Sequence, residues 1–318
     1  MLEISGLLRG RDLLSLHHFT PEEIKLILDT ADHLKKMQKR GERHQYLSGR
    51  TLGMIFQKSS TRTRVSFEVG MYQLGGQALF LSSSDIQLGR GETVADTARV
   101  LSRYVDGIMI RTFAQADVEE LARQAEIPVI NGLTDLLHPC QILSDLQTIR
   151  ECKGRLSGLK LAYVGDGNNI AHSLLFGCAK TGVNITVASP EGYKPSNDIV
   201  SAAREDALET GSVISVVTDP AEAVADADVV VTDVWASMGQ EAEQAQRASL
   251  FPPYQVNEQL VKYARDDFIF LHCLPAHRGE EVTTGIIDGP KSLVWDEAEN
   301  RLHVQKAVMA LVMNGSRL

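Results

Sequence analysis

The residues best able to do chemistry in this chain form the run Ser59-Ser60-Thr61-Arg62-Thr63-Arg64. An apolar, strand-like segment, Thr51 to Phe56, precedes the run, and a helical pattern, Val65 to Leu74, follows it. The run therefore lies where the positive end of a helix dipole disfavours each cation by about 0.3–1 kcal/mol. A bound phosphate reverses that sign, because helix N–H groups, hydroxyls and guanidinium groups all donate to it. A solvated basic turn with a Ser/Thr cap is the alternative, and the repeated hydroxyl and Arg residues favour an anion site.

Two later segments add polar groups of a complementary kind. Arg111 directly follows the apolar segment Gly107–Ile110, and His138-Pro139-Cys140-Gln141 places an imidazole and an amide where a loop enters a helix. Considered alone, Arg111 at a strand end would be interpreted as a surface charge, and His138 as a structural histidine. Taken together with the hydroxyl–Arg run, these groups could bind a phosphate and polarise a carbonyl.

Composition limits the classes of function. With 318 residues the chain is long enough for about two domains with buried cores. Its 43% hydrophobic and 23% charged content is that of a globular protein, not a disordered one. The formal net charge of −9 makes the basic run a local feature. Nucleic acid and anionic membrane are therefore not expected as partners, because both require an extended positive surface.

Cysteine usage and the N-terminus predict a compartment. The four cysteines form no C-x-x-C pair and no disulfide-framework spacing, which indicates a reducing environment. The segment Met1 to Arg11 has no apolar run typical of a signal peptide, and no segment approaches the ~20 apolar residues of a membrane span. We expect a soluble, cytoplasmic protein.

The first half of the chain alternates between strand and helix patterns. Thr20-Pro21-Glu22-Glu23 predicts a capped helix start, with the helix running to about Lys39. Helical patterns such as Thr93–Tyr104 and Val118–Gln124 then separate the strand candidates, which are Thr51–Phe56, Gln77–Leu81, Gly107–Ile110 and Pro128–Ile130. This alternation predicts a parallel sheet with helices on both faces.

A helix over about His138 to Arg150 is predicted to connect this half to a second alternating series. The region Trp235 to Tyr254 has no regular pattern and is predicted to be a long loop, and a final helix is predicted over about Leu302 to Asn314. In open α/β sheets, ligands bind beyond the carboxyl ends of strands, and every polar motif falls at such an end. The strand candidates are Lys160–Val164, Asn184–Ala188, Val213–Val217, Val229–Val234, Phe268–His272 and Leu293–Trp295.

Several separated motifs, in order, resemble one enzyme family. The hydroxyl–Arg run, Arg111 and His138-Pro139-Cys140-Gln141 resemble the carbamoyl-phosphate half of the aspartate/ornithine carbamoyltransferase family. The second half is similar to the ornithine branch of that family. It carries Gly165-Asp166-Gly167-Asn168-Asn169, Asp233-Val234-Trp235-Ala236-Ser237-Met238-Gly239 and His272-Cys273-Leu274-Pro275. The resemblance spans nearly the whole chain.

The resemblance implies an α/β fold of two doubly wound parallel-sheet domains joined by helices. Residues 1–148 would bind carbamoyl phosphate and residues 149–318 would bind ornithine, with the last helix, about 300–318, packing back on the first domain. The implied reaction is attack of the δ-amine of L-ornithine on carbamoyl phosphate, giving L-citrulline and phosphate in arginine metabolism. The implied assembly is a homotrimer or a multiple of trimers, in which Gln87 would reach a neighbouring subunit's site.

The resemblance also assigns residues. Those implied to contact carbamoyl phosphate are Ser60, Thr61, Arg62, Thr63, Gln87, Arg111, His138, Gln141, Cys273, Leu274 and Arg301. Those implied to hold ornithine are Asn169, Asp233, Ser237 and Met238. Those implied to take part in catalysis are Arg111, His138, Asp233 and Cys273, the last two as candidates for removing the amine proton.

No cofactor is expected. Gly165-x-Gly167 follows a strand, as in dinucleotide-binding turns, but Ile170 occupies the third glycine position and no acidic residue ends the next strand. A metal at Cys273 is not expected either, because its neighbour His272 would point to the opposite face of a strand. Two other functions remain open: carbamoylation of another amine such as putrescine, and a non-catalytic sensor of a phosphate ligand. Aspartate is disfavoured as the acceptor by the Cys-Leu-Pro and Ser-Met-Gly combination.

Overall fold

The structure is a computed structural model, and it describes residues 6–88, 91–236 and 243–314 of the chain. These residues contain nine strands in two parallel sheets. The strands are β1 (Thr51–Phe56), β2 (Gln77–Ser82), β3 (Gly107–Arg111), β4 (Val129–Leu133), β5 (Lys160–Val164), β6 (Asn184–Ala188), β7 (Ile214–Val217), β8 (Val229–Thr232) and β9 (Ile269–His272). Both sheets therefore confirm the predicted fold class.

Eleven α-helices lie within the same described residues. Thr20 and Glu23 form the predicted capping box, since each side chain accepts from the other residue's backbone N–H. The helices are α1 (Pro21–Lys39), α2 (Thr61–Gln73), α3 (Val94–Tyr104), α4 (Gln115–Gln124), α5 (Pro139–Lys153), α6 (Asn169–Thr181), α7 (Asn197–Thr210), α8 (Pro220–Val224), α9 (Gln244–Leu250), α10 (Thr284–Ile287) and α11 (Val294–Met313). Of these helices, none is long and apolar enough to cross a bilayer.

The chain divides into two compact units. Unit 1 comprises Met1–Gln147 and Asn300–Leu318, and unit 2 comprises Thr148–Glu299. Helices α5 and α11 each run across a boundary between the units. The C-terminal part of α11 accordingly packs within unit 1, where a Cβ on Gly70 of α2 would lie 2.9 Å from Met309 Cε.

The sheet of unit 1 has the strand order β2-β1-β3-β4, so the order reverses between β1 and β3. Its apolar core includes Ile55, Ile108 and Ile110, which are buried beneath α3 and α4. The order of the sheet of unit 2 is β7-β6-β5-β8-β9, with its reversal between β5 and β8. These reversals create the crevices where ligands of doubly wound sheets bind.

One strand prediction is wrong. Leu293–Trp295 was expected to be a strand, but α11 begins at Val294, eight residues before the expected helix start. The chain does pair briefly with β9, because Leu293 N–H donates to Phe270 O and Ser292 forms an isolated bridge with Phe270. Such a short apolar run cannot be assigned by pattern alone.

The long-loop prediction for residues 235–254 is wrong in part. The segment contains α9 and a 3₁₀ turn over Pro252–Tyr254. Ser237 and Met238, the predicted ornithine contacts on this segment, lie outside the described residues.

Candidate active site

The first group of candidate residues lies at the start of α2 in unit 1. Ser60 caps the helix, because its Oγ accepts from Thr63 N–H at 3.2 Å and donates to Thr63 Oγ1 at 3.1 Å. Thr61 is exposed and Arg62 is half-buried at the same turn. The predicted hydroxyls therefore gather at the positive end of a helix dipole, directly after β1.

The two arginines of the run have different surroundings. Arg64 points along the helix surface, where its Nε donates to Glu68 at 3.0 Å and its guanidinium stacks 3.7 Å from the centre of the Phe80 ring. Arg62 instead lies close enough to the buried His138 for its charge to lower the imidazole pKa. The structure therefore separates a surface arginine from a site arginine.

Arg301 joins this turn from α11. Its Nη2 donates to Thr63 Oγ1 at 3.2 Å, and its Nη1 donates to Gln141 Oε1 at 2.6 Å. The Gln141 amide in turn donates to Asp145 Oδ1 at 2.9 Å. Arg301 is 3% exposed, so three distant parts of unit 1 meet around one buried cation.

His138 lies at the centre of the positive charge. Burial lowers the pKa of His138 well below its usual range, and the charges of Arg301, Arg111 and Arg62 lower it further. Arg111 is itself buried at the end of β3. The imidazole is therefore neutral at physiological pH.

The candidate residues of unit 1 are called the unit 1 cluster from here on. They are Ser60, Thr61, Arg62, Thr63, Arg111, His138, Gln141 and Arg301.

Gln87 is exposed in the loop that follows β2.

The second group of candidates lies at the carboxyl ends of β5, β8 and β9 in unit 2. Asp233 is 5% exposed and accepts from two side chains: Asn168 Nδ2 donates to its Oδ2 at 2.8 Å, and Cys273 Sγ donates to its Oδ1 at 3.0 Å. Asn169 is buried at the first position of α6. We name this set the unit 2 cluster: Asn168, Asn169, Asp233, Cys273 and Leu274.

The Gly-rich turn of unit 2 is shaped by another segment of the chain that packs against it. Asn168 caps α6, since its Oδ1 accepts from Ile170 N–H at 2.9 Å and Ala171 N–H at 3.3 Å. A Cβ on Gly167 would lie 2.2 Å from the backbone nitrogen of Pro195. Glycine is required here because another segment of the chain crosses the turn, which accounts for the motif without a bound pyrophosphate.

Sequence reasoning missed a buried ion pair beside this turn. Arg247 of α9 lies 2.8 Å from Asp166, donates to Trp235 O at 2.6 Å and also pairs with Glu243. Burial raises the pKa of Asp166 to about 6 despite the attraction of Arg247. Burial lowers the pKa of Arg247, but the carboxylates of Asp166 and Glu243 together outweigh that effect, so its pKa is raised. Glu243 lies four residues before Arg247 at the start of α9, but no spacing in the sequence signals the pair with Asp166, because that partner lies on a separate element.

In each of two separate groups of side chains, the possible metal-ligand atoms lie close together. The possible ligand atoms of Asp233, His272 and Cys273 all lie within 4.8 Å, as do those of His277, Glu280 and Glu281. The expectation that His272 points away from Cys273 is therefore wrong, because β9 ends at His272 and the chain turns there. Both His272 nitrogens are nevertheless engaged, one by Leu274 N–H and one by Glu281, so a metal would have to displace those bonds.

Both halves of the chain match models of one enzyme family. Residues 11–151 match the family model of the carbamoyl-phosphate-binding domain of aspartate/ornithine carbamoyltransferases. Residues 157–312 match the model of the aspartate/ornithine-binding domain of the same enzymes.

Individual relatives agree with these models. The chain is 61% identical over 311 residues to an ornithine carbamoyltransferase of Thermococcus kodakarensis, covering 98% of this chain and 99% of the relative. It is 60% identical over 308 residues to the anabolic ornithine carbamoyltransferase of Pyrococcus furiosus, covering 97% and 98%. The solved ornithine carbamoyltransferase from Pyrococcus furiosus superimposes with a TM-score of 0.95 at 59% identity, covering 98% and 99% of the two chains.

Proposed function

The chain belongs to the aspartate/ornithine carbamoyltransferase family, and we propose that it transfers the carbamoyl group of carbamoyl phosphate to the δ-amine of L-ornithine. The products are L-citrulline and phosphate. The observation that carries this proposal is the buried Arg301, which donates to Thr63 at the start of α2 and to Gln141 three residues after His138. Because one relative is an anabolic enzyme, we further propose a role in arginine biosynthesis.

The unit 1 cluster suits carbamoyl phosphate. The start of α2 supplies backbone N–H groups and the hydroxyls of Ser60, Thr61 and Thr63, while Arg62 and Arg301 supply charge-assisted donors for a phosphate dianion. Gln141 Oε1 can accept from the carbamoyl NH₂ with its second lone pair.

A second task of the unit 1 cluster is to polarise the carbonyl. Arg111 and the neutral His138 act as fixed donors to the carbonyl oxygen, with Thr63 alongside. Donors fixed where negative charge develops each contribute about 10²–10³ in rate. Because His138 is buried and neutral, its ring N–H can donate to the carbonyl oxygen without first losing a hydration shell.

The unit 2 cluster suits an amine substrate. Asp233 is a buried carboxylate that can pair with an ammonium group, and Asn169 adds an amide beside it. Ser237 and Met238 would complete the amino-acid end of the ornithine site. Cys273 and the Leu274 backbone lie at the end of β9, with the Cys273 thiol donating to Asp233. An aspartate substrate would instead place a carboxylate beside the Asp233 carboxylate, which is repulsive.

The chemistry then follows as direct transfer. The neutral δ-amine attacks the carbamoyl carbon, the carbonyl oxygen takes on negative charge beside Arg111 and His138, and the tetrahedral intermediate expels phosphate. The amine must lose a proton to attack and another after attack. Asp233 is the unit 2 carboxylate placed to accept one, and Cys273 can accept one only as a thiolate, after its own proton has moved to Asp233.

The test is an assay of purified protein for citrulline and phosphate, with each substrate omitted in turn. We expect both products only when carbamoyl phosphate and ornithine are present. Phosphate release without ornithine would contradict direct transfer. Faster turnover with putrescine than with ornithine would identify putrescine as the acceptor substrate. Tight carbamoyl-phosphate binding without turnover would identify the protein as a sensor.

We also propose a homotrimer, or a multiple of trimers, in which Gln87 serves a neighbouring subunit's carbamoyl-phosphate site. Support comes from the exposure of Gln87 and from exposed apolar side chains at the edge strand β2 and the packed helix α2, which are Val65, Tyr72, Leu79 and Phe80. Mixing inactive Arg62→Ala and Gln87→Ala subunits should restore about a quarter of sites, since each restored site needs one intact residue from each parent. Verified mixed trimers without recovered activity would remove the shared-site proposal.

A further inference from the structure

The turn that follows β9 holds its shape through one histidine. Leu274 has a φ of 57°, a left-handed conformation that is uncommon for a residue with a side chain. Its backbone N–H donates to Nδ1 of His272 at 2.9 Å. The backbone N–H of His272 donates to Glu297 Oε2 at 2.9 Å, which fixes the other side of the turn.

This bond determines which His272 nitrogen carries the ring proton. Nδ1 accepts from Leu274, so in this arrangement the proton is on Nε2. Nε2 then donates to Glu281 Oε1 at 3.0 Å. If the proton moved to Nδ1, two N–H donors would face each other and the bond to Leu274 would be lost.

Glu281 is the acceptor that keeps the proton on Nε2. Its side chain is fully buried, and the same Oε1 accepts from His277 N–H at 2.7 Å. Two donors on different parts of the chain thus anchor this oxygen, and a buried carboxylate is held only where hydrogen bonds compensate its desolvation.

We propose that Glu281 is a positioning residue for the transfer reaction. Through His272 it holds the turn that carries Cys273 and Leu274, and so fixes where the thiol and this backbone lie relative to Asp233. The inference rests on the proposed function, because it assigns that turn to the reacting amine of ornithine. Glu281 itself is placed to touch no substrate.

The link has a direct geometric consequence at Asp233. Cys273 Sγ donates to Asp233 Oδ1 at 3.0 Å, and Asp233 also accepts from Asn168 at the start of α6. A turn released by loss of the Glu281 bond would move one of the two donors that orient this carboxylate. The unit 1 cluster contains none of these residues. Of the implied carbamoyl-phosphate contacts only Cys273 and Leu274 should move, so carbamoyl-phosphate affinity should fall less than kcat/KM for ornithine.

A matched pair of variants separates the hydrogen bond from simple burial. Glu281→Ala removes the acceptor, whereas Glu281→Gln keeps an oxygen that can accept from His272 and His277 in nearly the same volume. We expect kcat/KM for ornithine to fall about 10- to 100-fold in the alanine variant, with most of it retained in the glutamine variant. The exposed neighbour gives the control, since Glu280→Gln should behave as wild type.

A second pair of variants tests the two His272 nitrogens separately. Asparagine places an oxygen near the Nδ1 position and can still accept from Leu274 N–H, whereas glutamine places its amide near Nε2 and can still donate to Glu281. If the Leu274 bond is what the reaction requires, His272→Asn should retain more ornithine kcat/KM than His272→Gln. The reverse order would overturn the proposal.

Readouts beyond activity distinguish positioning from loss of folding. Carbamoyl-phosphate affinity, measured by calorimetry, should fall less than ornithine kcat/KM in all folded variants, because most of its implied contacts lie in the unit 1 cluster. The ¹⁵N shifts of His272 should show the Nε2–H tautomer in wild type and a mixture of tautomers in Glu281→Ala. Wild-type ornithine kinetics in Glu281→Ala, or an equal loss in Glu281→Gln, would overturn the proposal.

Failure of the proposed function is a separate result. It would appear as absence of citrulline from the wild-type protein. The tautomer measurement would still decide in that case whether Glu281 holds His272, since it requires no substrate.

Discussion

In unit 1 the charges of Arg62, Arg111 and Arg301 act on a buried imidazole that follows β4, whereas in unit 2 one buried carboxylate accepts from an amide and a thiol after β5, β8 and β9. Both clusters lie beside the strand pair at which the order of a parallel sheet reverses. The two units thus share a scaffold and differ in charge. The side chains that follow the strands, together with Arg301 of α11 in unit 1, decide which substrate each unit suits.

The same difference extends to the groups that titrate. In unit 1 burial and neighbouring cations lower the pKa of His138 and keep it neutral. In unit 2 burial raises the pKa of Asp166 to about 6, and Arg247 only partly offsets that effect. Acidification should therefore act on the two units with opposite sign.

The largest expected effect is that of Arg62→Ala on carbamoyl-phosphate binding. Each charge-assisted bond to an anion is worth about 1.5–3 kcal/mol, so loss of two should lower affinity by roughly 10²–10⁴-fold. The matched control is Arg64→Ala, because Arg64 is engaged by Glu68 and Phe80 at the surface. Calorimetry with inorganic phosphate and with carbamoyl phosphate measures both variants. Equal losses in the two variants would contradict the division between site and surface arginines.

The reciprocal variant in unit 2 is Asp233→Asn. Removing one partner of a buried charge pair costs about 3–5 kcal/mol, so kcat/KM for ornithine should fall by roughly 150- to 5,000-fold. Carbamoyl-phosphate affinity should remain that of wild type, which is the opposite of the Arg62→Ala result. Steady-state kinetics with each substrate varied in turn makes the comparison. A joint loss of both affinities would show that the two clusters do not divide the substrates.

The sequence predicted best the features that depend on neighbours along the chain. The capping box at Thr20, the turn after β1 and the positions of most strands follow from local pattern. Arg301 was assigned only through the family resemblance, because its bond to Thr63 spans 238 residues.

The features that local pattern could not predict depend on tertiary contacts. Arg247 was missed because its partners, Asp166 and Trp235 among them, come together only in the folded unit. The predicted direction of the His272 side chain was wrong because side chains stop alternating between the two faces of a strand where β9 ends. Periodicity thus predicts elements, while the end of an element and its long-range partners require the structure.

The Asp166→Asn variant tests the raised pKa of Asp166 in unit 2 through the pH dependence of the free energy of unfolding. The folded pKa is raised from 3.8 to about 6, so the stabilising contribution of protonated Asp166 is complete below pH 3.8 and is lost as pH rises through about 6. Asparagine cannot titrate. The wild type should therefore lose stability relative to the variant between pH 4 and pH 7, by at most about 3 kcal/mol. Urea unfolding at several pH values measures this difference, and a difference that stays constant with pH would contradict the raised pKa.

The smallest effect, and the one of opposite sign, is expected for His138→Gln. The folded pKa lies below the unfolded value of 6.5, so the contribution of neutral His138 is present above pH 6.5 and is lost as pH falls toward the folded pKa. The slope is at most about 1.4 kcal/mol per pH unit, because one proton is involved. Glutamine does not titrate, so the variant should lack this part of the acid destabilisation, while His18→Gln at an exposed histidine should retain it. Urea unfolding from pH 7 to pH 5 compares the three proteins. If His138→Gln and wild type lose stability in parallel, burial and the arginines around His138 do not hold it neutral, and the electrostatic contrast between the two units fails.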